Sequence, residues 1–242
     1  MAIEDSQIGR AFIGLREMLL HGELARGERI SELPLVARLG TSRTPIRLAL
    51  ERLAHMGLLD VLPTGGFAVR GFSLAEALDA IELRGVLEGT AARFAAERLK
   101  DDAELGVMRR ACTQMEALGS LTIDTFEVYM DLNESLHAAL VDLAKSAILQ
   151  RGIAQASSLP FAAASAMVFP TSVLPNAGTH LLIANDQHRS IIEAIAQRQS
   201  ARAESLAREH AQLARRMLSV AMSDTDTRRR IPGAPLLHVG TI

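Results

Sequence analysis

Residues 42–70, SRTPIRLALERLAHMGLLDVLPTGGFAVR, decide the fold of the N-terminal part of this 242-residue chain. Ser42 is of the type that caps a helix N-terminus, Pro45 follows in the first turn, and the next apolar residues recur at helical spacing. Two short apolar runs, 58–62 and 67–70, then enclose a proline and two glycines. The stretch therefore predicts one helix followed by a small β-hairpin.

Two further helices are predicted before this stretch. Apolar residues at helical spacing indicate one over 8–21, which Gly22 ends. Ser31 and Pro34 begin a shorter helix that stops at Gly40, a residue suited to the left-handed position after a helix. Three helices and one hairpin within about 70 residues are typical of a winged helix-turn-helix.

Beyond a hinge at 71–72 the sequence predicts helices alone. Ser73 and Glu76 form a capping box, which begins a new helix. The predicted helices are 74–98, 102–118, 122–143, 145–157, 185–197 and 201–222.

The predicted fold class is mainly α, with three regions along the chain. A winged helix-turn-helix domain covers 1–72, an all-helical domain covers 73–222, and a flexible tail covers 223–242. Residues 170–180 contain two prolines and a glycine and predict a loop or a broken helix.

The composition restricts the classes of protein to which the chain can belong. Apolar residues make up 48% and aromatic residues 3%, which favours helix-on-helix packing. The net charge of −2 does not mark a nucleic-acid binder, but 38–52 holds four arginines against Glu51 alone. The lone Cys112 and the lack of a secretory signal predict a cytoplasmic protein. The longest apolar run, 160–169, is too short to cross a membrane.

The start of the third helix carries the first candidate site. In a helix-turn-helix the second helix of the motif enters the major groove with its N-terminal end. Arginine can bind guanine through two hydrogen bonds, while hydroxyls and helix N-termini bind phosphate. The alternative is an ordinary solvated arginine face. The candidate DNA contacts are Ser42, Arg43, Thr44 and Arg47, with Gly65 at the tip of the hairpin.

Three histidines on inward-facing helical stripes form the second candidate site. They are His137, His188 and His210, and Asn133 lies one helical turn before the first of them. Three imidazoles and one oxygen suit a divalent ion such as zinc, nickel or manganese. The alternative is that each histidine is a hydrogen-bonded core residue.

Residues 22–70 resemble the GntR family of bacterial repressors throughout the DNA-binding domain. Two positions depart from the family pattern. Thr64 stands where members often have Arg or His, and Leu33 stands where some have Arg. The resemblance implies that operator DNA is contacted by Ser42, Arg43, Thr44 and Arg47, and that Gly65 lies in the wing.

Residues 79–99, 129–149 and 185–210 are similar to the FCD domain of the FadR subfamily. The resemblance implies an antiparallel helical bundle, in which many members hold a metal ion with an Asp–x3–His pair and two later histidines. His137, His188 and His210 match those histidines, but Asn133 replaces the aspartate. Because an amide is neutral, this site should hold a dication less tightly.

Arg84 is the candidate effector-binding residue. The resemblance places it near the effector pocket, where a guanidinium can clamp a carboxylate. The alternative is a surface ion pair with Glu82 or Glu88. Residues 84–89 and 159–166 are similar to the VanR-type vanillate repressors. This implies an aromatic acid as effector, on whose ring Phe161 and Phe169 could stack.

The sequence therefore predicts a ligand-responsive transcription regulator rather than an enzyme. We expect a repressor that binds operator DNA as a homodimer, carries a divalent metal ion, binds a small carboxylate and does not contact a membrane. Two alternatives stay open at this point. One is a helical metalloenzyme that uses the three-histidine site, and the other is a helical domain that serves only dimerisation.

Overall fold

The computed structural model describes residues 7–119, 122–159, 161–166, 168 and 177–238. The chain divides into two compact units, of which the first combines 1–77 with 228–242 and the second is 78–227. Among the described helices, none has the length and apolar character needed to cross a membrane.

The first unit contains the three helices that the sequence predicts. They are α1 (Gln7–Leu20), α2 (Glu32–Leu39) and α3 (Arg43–His55). The apolar faces of α1 and α3 meet in a small core that includes Leu15, Leu19, Ile46, Leu50 and Leu53. Gly40 follows α2 with a φ of 60°, the left-handed conformation that lets the chain turn sharply into α3.

A three-stranded antiparallel sheet completes the winged helix-turn-helix. Strands β2 (Leu59–Val61) and β3 (Phe67–Val69) form the predicted hairpin, with Asp60 opposite Ala68. A further strand, β1 (Arg29–Ile30), pairs with the other edge of β3. The sequence did not predict β1, because two residues are too few to show a strand's alternating pattern.

The C-terminal segment differs from the flexible tail predicted for 223–242. It contains α10 (Thr225–Arg229), a 3-10 turn at Ala234–Leu236 and strand β5 (Leu237–His238). Strand β5 pairs in parallel with β4 (Phe72–Ser73). The side chains of Ile231, Leu236 and Leu237 are buried, and the Gly233 amide donates a hydrogen bond of 2.7 Å to the Leu20 carbonyl.

The prediction of a tail rested on the arginines, prolines and glycine of this segment, which are usual in disordered chain ends. The polar composition of the segment gave no indication that the apolar side chains of Ile231, Leu236 and Leu237 are buried in the first unit. This tertiary packing orders the segment, so the first unit includes residues from both ends of the chain.

The second unit is all-helical, as predicted. Its helices are α4 (Leu74–Arg98), which begins in the first unit, α5 (Gly106–Ala117), α6 (Ile123–Leu143), α7 (Ala147–Ser157), α8 (Ala177–Ala196) and α9 (Ser200–Ser223). A 3-10 turn at Asp102–Leu105 leads into α5. The core is built largely from small and straight-chain residues, among them Ala92, Met108, Leu136, Ile195 and Ala203.

Helix α8 begins at Ala177, eight residues earlier than the predicted start at 185. Of the loop or broken helix predicted for 170–180, residues 177–180 belong to regular helix, and 170–176 lie outside the described residues. Ala177, Leu181 and Asn185 are buried at four-residue spacing, so the inward face extends through the segment. Gly178 suggested a helix break, but a glycine in the first helical turn interrupts little.

Candidate metal centre and DNA interface

The leading end of α3 is exposed on the first unit. Ser42 occupies the N-cap with an extended backbone, and its side chain makes no capping hydrogen bond to the described residues. Ser42, Arg43, Thr44 and Arg47 are all exposed, while Pro45 beside them is buried. The four polar side chains therefore share one accessible surface, as DNA contacts at the start of a recognition helix require.

The other two arginines of the basic stretch contact protein groups instead. Arg38 forms an ion pair with Glu23, and the guanidinium of Arg52 lies 4.3 Å from the centre of the Phe12 ring. Arg47 approaches Glu51 at 3.4 Å, a surface pair of the kind that is worth little. Arg43 forms no ion pair within the part of the chain that the structure describes.

The wing tip is open. Gly65 has a φ of 82°, and a Cβ atom added there would meet nothing within 4 Å. The Gly65 carbonyl accepts a hydrogen bond of 3.0 Å from Nη2 of Arg29, which belongs to β1. The sequence analysis did not single out Arg29. Arg29 becomes a candidate DNA contact because β1 places its guanidinium at the wing tip.

Close packing of α4 against α9 helps to bring the polar side chains of the second unit together. A Cβ atom at Gly85 would lie 2.5 Å from the Cβ of Ala211, and one at Gly89 would lie 2.6 Å from Cγ of Arg208. Only glycine fits at such an approach without a shift of the neighbouring groups. The two glycines therefore place the polar residues of α4 near His210 of α9.

The three predicted histidines converge in the second unit. His137, His188 and His210 each offer a ring nitrogen, and these three atoms lie within 4.8 Å of one another. The Nε2 atoms of His188 and His210 are 3.1 Å apart. That separation is close to the spacing of two neighbouring ligands bound at about 2.0–2.1 Å to one zinc ion.

Hydrogen bonds on the far side of two rings direct unprotonated nitrogens towards the centre. Nδ1 of His137 donates to Oε1 of Glu88 at 3.1 Å, and Nδ1 of His210 donates to Oε1 of Gln187 at 2.9 Å. A neutral imidazole that donates from Nδ1 has a lone pair at Nε2. Nε2 of His137 is buried and has no hydrogen-bond partner among the described residues.

Burial keeps the imidazoles of His188 and His210 neutral. Desolvation, followed by the neighbouring His137, lowers the pKa of His188 to about 3. Desolvation likewise lowers the pKa of His210 well below its usual value, with His188 and His137 adding to the effect. Neutral imidazoles are the form that binds a metal ion, so this cluster has the chemistry of a ligand set.

Asn133 lies one turn before His137 and is buried beside the cluster. Its amide nitrogen donates to Oγ of Ser165 at 3.3 Å, so its oxygen remains the group suited to a cation. Asn133 lines the same cavity as His210. The described side chains thus fit a cation site of three nitrogens and one neutral oxygen.

The metal-free protein should lose stability as the pH falls below about 6.5. Unfolded histidines take up protons near pH 6.5, whereas folded His188 stays neutral down to about pH 3, so the unfolded state binds more protons in between. We expect His188 alone to cost about 2 kcal/mol of unfolding free energy at about pH 5. Urea unfolding of chelator-treated protein measures this, and an equally steep pH dependence in His188→Gln would contradict it.

Arg84 is buried, with 2% of its surface exposed, and is not a surface residue. Its Nε and Nη1 atoms have no hydrogen-bond partner among the described residues, and Nε lies 3.9 Å from Oε2 of Glu88. Arg84 lines a cavity of about 50 Å³ together with Asn133, Tyr129 and His210. The remaining wall is largely apolar and includes Leu181, Leu213 and Met217.

A second, larger cavity of about 330 Å³ touches the other side of the histidine cluster. It is lined by His137 and Glu88 and by the carboxylates of Glu134 and Asp142. The two acidic side chains make this cavity unfavourable for an anion. The smaller cavity, with Arg84 in its wall, is therefore the better candidate for an anionic ligand.

The structure adds residues to the site that the sequence analysis had not assigned. The sequence predicts Glu88 only as a surface partner of Arg84, yet both residues are buried. Its signal in the sequence was the four-residue spacing from Arg84. His180 lies in the segment predicted to be a loop, but it belongs to α8 and lines the smaller cavity. Phe161 is buried and lines neither cavity described above, and Phe169 lies outside the described residues.

Comparison with known proteins places both units in families. Residues 9–69 match the bacterial regulatory proteins of the gntR family, and residues 79–213 match the FCD domain. The FCD match covers more than half of the chain, and the two matches correspond to the winged helix-turn-helix and to the helical unit.

Several curated regulators are similar over part of their length. The Nta operon transcriptional regulator of Aminobacter aminovorans is 36% identical over 120 residues, which are 50% of this chain and 55% of the relative. The probable D-xylose utilization operon transcriptional repressor of Paenarthrobacter nicotinovorans is 37% identical over 86 residues, 36% of this chain and 38% of the relative. The repressor RspR of Escherichia coli K12 is 28% identical over 130 residues, 54% of this chain and 56% of the relative. The chain thus spans about half the length, or less, of these relatives.

Solved structures agree with the fold. E. coli McbR/YncC has a TM-score of 0.63 at 20% identity and covers 89% of this chain and 98% of its own. A putative GntR regulator from Rhodococcus sp. RHA1 has a TM-score of 0.57 at 20% identity, and the match covers 89% of this chain and 98% of the other. Together with the two family matches, these results show that the chain belongs to the GntR family of bacterial regulatory proteins, in the group whose second domain is an FCD domain.

Proposed function

We propose that this protein is a ligand-responsive transcriptional repressor. Its first unit binds operator DNA through the start of α3 and the wing, and its second unit binds a small carboxylate beside a divalent metal ion. The names of two relatives, a D-xylose operon repressor and RspR, support repression rather than activation.

The buried guanidinium of Arg84 is the observation that carries the sensor role. A buried charge is costly unless it is paired and hydrogen-bonded. Arg84 has one carboxylate partner at 3.9 Å and two nitrogens without partners among the described residues. A carboxylate in the cavity beside it would supply the missing acceptors through charge-assisted hydrogen bonds.

The small cavity favours a short aliphatic acid over an aromatic one. An apolar cavity of about 150 Å³ is what holds one benzene molecule in a protein core. The cavity beside Arg84 has about 50 Å³ and ends in apolar side chains such as Leu213 and Met217. The guanidinium of Arg84 can bind one carboxylate and the apolar wall suits the rest of the molecule, so the ligand class is a small carboxylate.

We propose that His137, His188, His210 and Asn133 hold the metal ion. A dication bound there would add positive charge next to the cavity and so attract the same carboxylate. The four protein groups are neutral ligands, so they leave the full charge of the ion available to the anion. Their part is to orient three lone pairs and one amide oxygen towards one point.

The proposal includes a homodimer. Helix-turn-helix regulators bind two half-sites about 34 Å apart, and a pair of recognition helices requires two chains. Effector binding can weaken DNA binding only if the acid has different affinities for the DNA-bound and free forms.

Tyr129 provides the test of the sensor role, because it is the only tyrosine, the chain has no tryptophan, and it lines the cavity. Purified protein would be titrated with acetate, lactate, benzoate and vanillate while tyrosine fluorescence and affinity for operator DNA selected from a random pool are measured. At least one acid should change both signals. No response to any of the four acids would favour a helical domain that serves only dimerisation.

Replacing Arg43 with alanine should weaken operator binding by about 5- to 150-fold, which is the loss of about 1–3 kcal/mol expected when a base-reading arginine is removed. The arginine is exposed at the leading end of α3, so its removal should leave the fold intact. Fluorescence anisotropy with labelled operator measures the effect. Arg10→Ala, in α1, is the control, and equal binding by Arg43→Ala would refute the base contact.

A further inference from the structure

Glu88 is a buried carboxylate that touches both candidate ligand-binding groups of the second unit. It is 3% exposed and lies one turn after Arg84 on α4. One of its oxygens, Oε1, accepts the hydrogen bond from Nδ1 of His137 at 3.1 Å. The other, Oε2, lies 3.9 Å from Nε of Arg84.

The contact with His137 determines which nitrogen of that ring can bind a metal ion. The cationic Arg84 beside it favours the carboxylate form of Glu88, which can only accept hydrogen bonds. Because Oε1 of Glu88 accepts from Nδ1 of His137, the proton of neutral His137 resides on Nδ1. Nε2 is left unprotonated, and it is buried without a partner among the described residues.

The contact with Arg84 explains how a guanidinium can be buried before any ligand is present. The distance of 3.9 Å is that of an ion pair and is too long for a hydrogen bond. Glu88 therefore balances the charge of Arg84 without occupying its hydrogen-bonding nitrogens. Nε and Nη1 stay available for an anion in the cavity.

We propose that Glu88 is a positioning residue that joins the metal site to the effector site. Through one oxygen it fixes the ring of His137 as a metal ligand, and through the other it holds the guanidinium of Arg84. This inference rests on the proposed function, since it assumes that the histidine cluster binds a divalent ion.

The test is the binding of Co²⁺ alone by Glu88→Gln in the full-length chain. Glutamine keeps the size of the side chain but lacks the charge, so His137 is no longer held in one protonation pattern. Loss of a carboxylate that orients a metal-bound histidine typically lowers metal affinity by about 10- to 100-fold. We expect that loss, together with a weaker visible absorption band of bound Co²⁺. Glu97→Gln, on the exposed face of the same helix, should bind Co²⁺ like the wild type.

The outcomes of this experiment test the role of Glu88 and the proposed metal site separately. If the wild type binds Co²⁺ and Glu88→Gln shows the same affinity and spectrum, Glu88 is only a structural residue and the inference is wrong, while the proposed metal site stands. If the wild type binds no Co²⁺, both are wrong. Should Glu88→Gln fail to fold, Glu88→Asp keeps the charge but is one methylene shorter, and unchanged Co²⁺ binding by that variant would overturn the inference.

Discussion

Replacing Arg84 with methionine is expected to weaken binding of the small carboxylate by about 100-fold, or about 2.7 kcal/mol. The guanidinium is buried, so its hydrogen bonds to an anion are formed away from competing water. Two of its nitrogens are free to donate to the ligand. Methionine fills a similar volume and offers no donor. Titration of the acid against Tyr129 fluorescence measures the loss.

The same substitution should also lower stability. It leaves the buried carboxylate of Glu88 without the cation 3.9 Å away, so we expect the unfolding midpoint to fall, and acid affinity is measured at a temperature where the variant is folded. Arg110→Met, an exposed position on α5, is the matched control and should bind the acid normally. If Arg84→Met binds the acid as tightly as the wild type does, Arg84 is not part of the effector site.

Replacing His188 with alanine is expected to lower divalent metal affinity by about 100- to 1000-fold, since structural zinc sites gain about 10–16 kcal/mol from roughly four ligands. His188 is fully buried, and its ring centroid lies 5.5 Å from that of His137 and 4.4 Å from that of His210. Competition with a chromophoric chelator measures the affinity. Metal analysis of the purified protein should show a loss of bound ion.

His180→Ala is the control for this experiment. His180 lines the cavity but does not belong to the three converging histidines, so its removal should leave metal affinity within a few-fold of the wild type. Added metal should also raise the unfolding free energy of the wild type, by about 2.7 kcal/mol at a hundred times its dissociation constant. If His188→Ala gains the same stabilisation, the ion binds elsewhere.

The winged helix-turn-helix was predictable because its signals are local. Ser42 and Pro45 mark a helix start, Gly40 marks a helix end, and two glycines mark the wing turn. Each of these depends on the conformation of one or two residues. Strand β1 lacks such a signal, since it exists only through its pairing with β3.

The sequence predicts the three histidines as a set, but it does not predict the distances between their rings. Their inward positions follow from the apolar stripes of three separate helices. Residues 137 and 188 are far apart along the chain, so only the packing of α6 against α8 and α9 brings their rings together. The pairing of Arg84 with Glu88 was visible as a spacing, but the same spacing is common on helix surfaces. Only burial distinguishes this internal pair from a surface ion pair, and burial depends on tertiary packing.

Strand β5 and the apolar side chains around it complete the winged unit with residues that are translated only after the whole helical unit, 78–227. A ribosome that has made residues 1–77 has not yet made Ile231, Leu236 and Leu237, whose side chains are buried in that unit. A premature stop codon shortly before these residues would therefore destabilise the winged helix-turn-helix, although the lesion lies beyond the codons of the helical unit. The helical unit, 78–227, would keep its entire sequence.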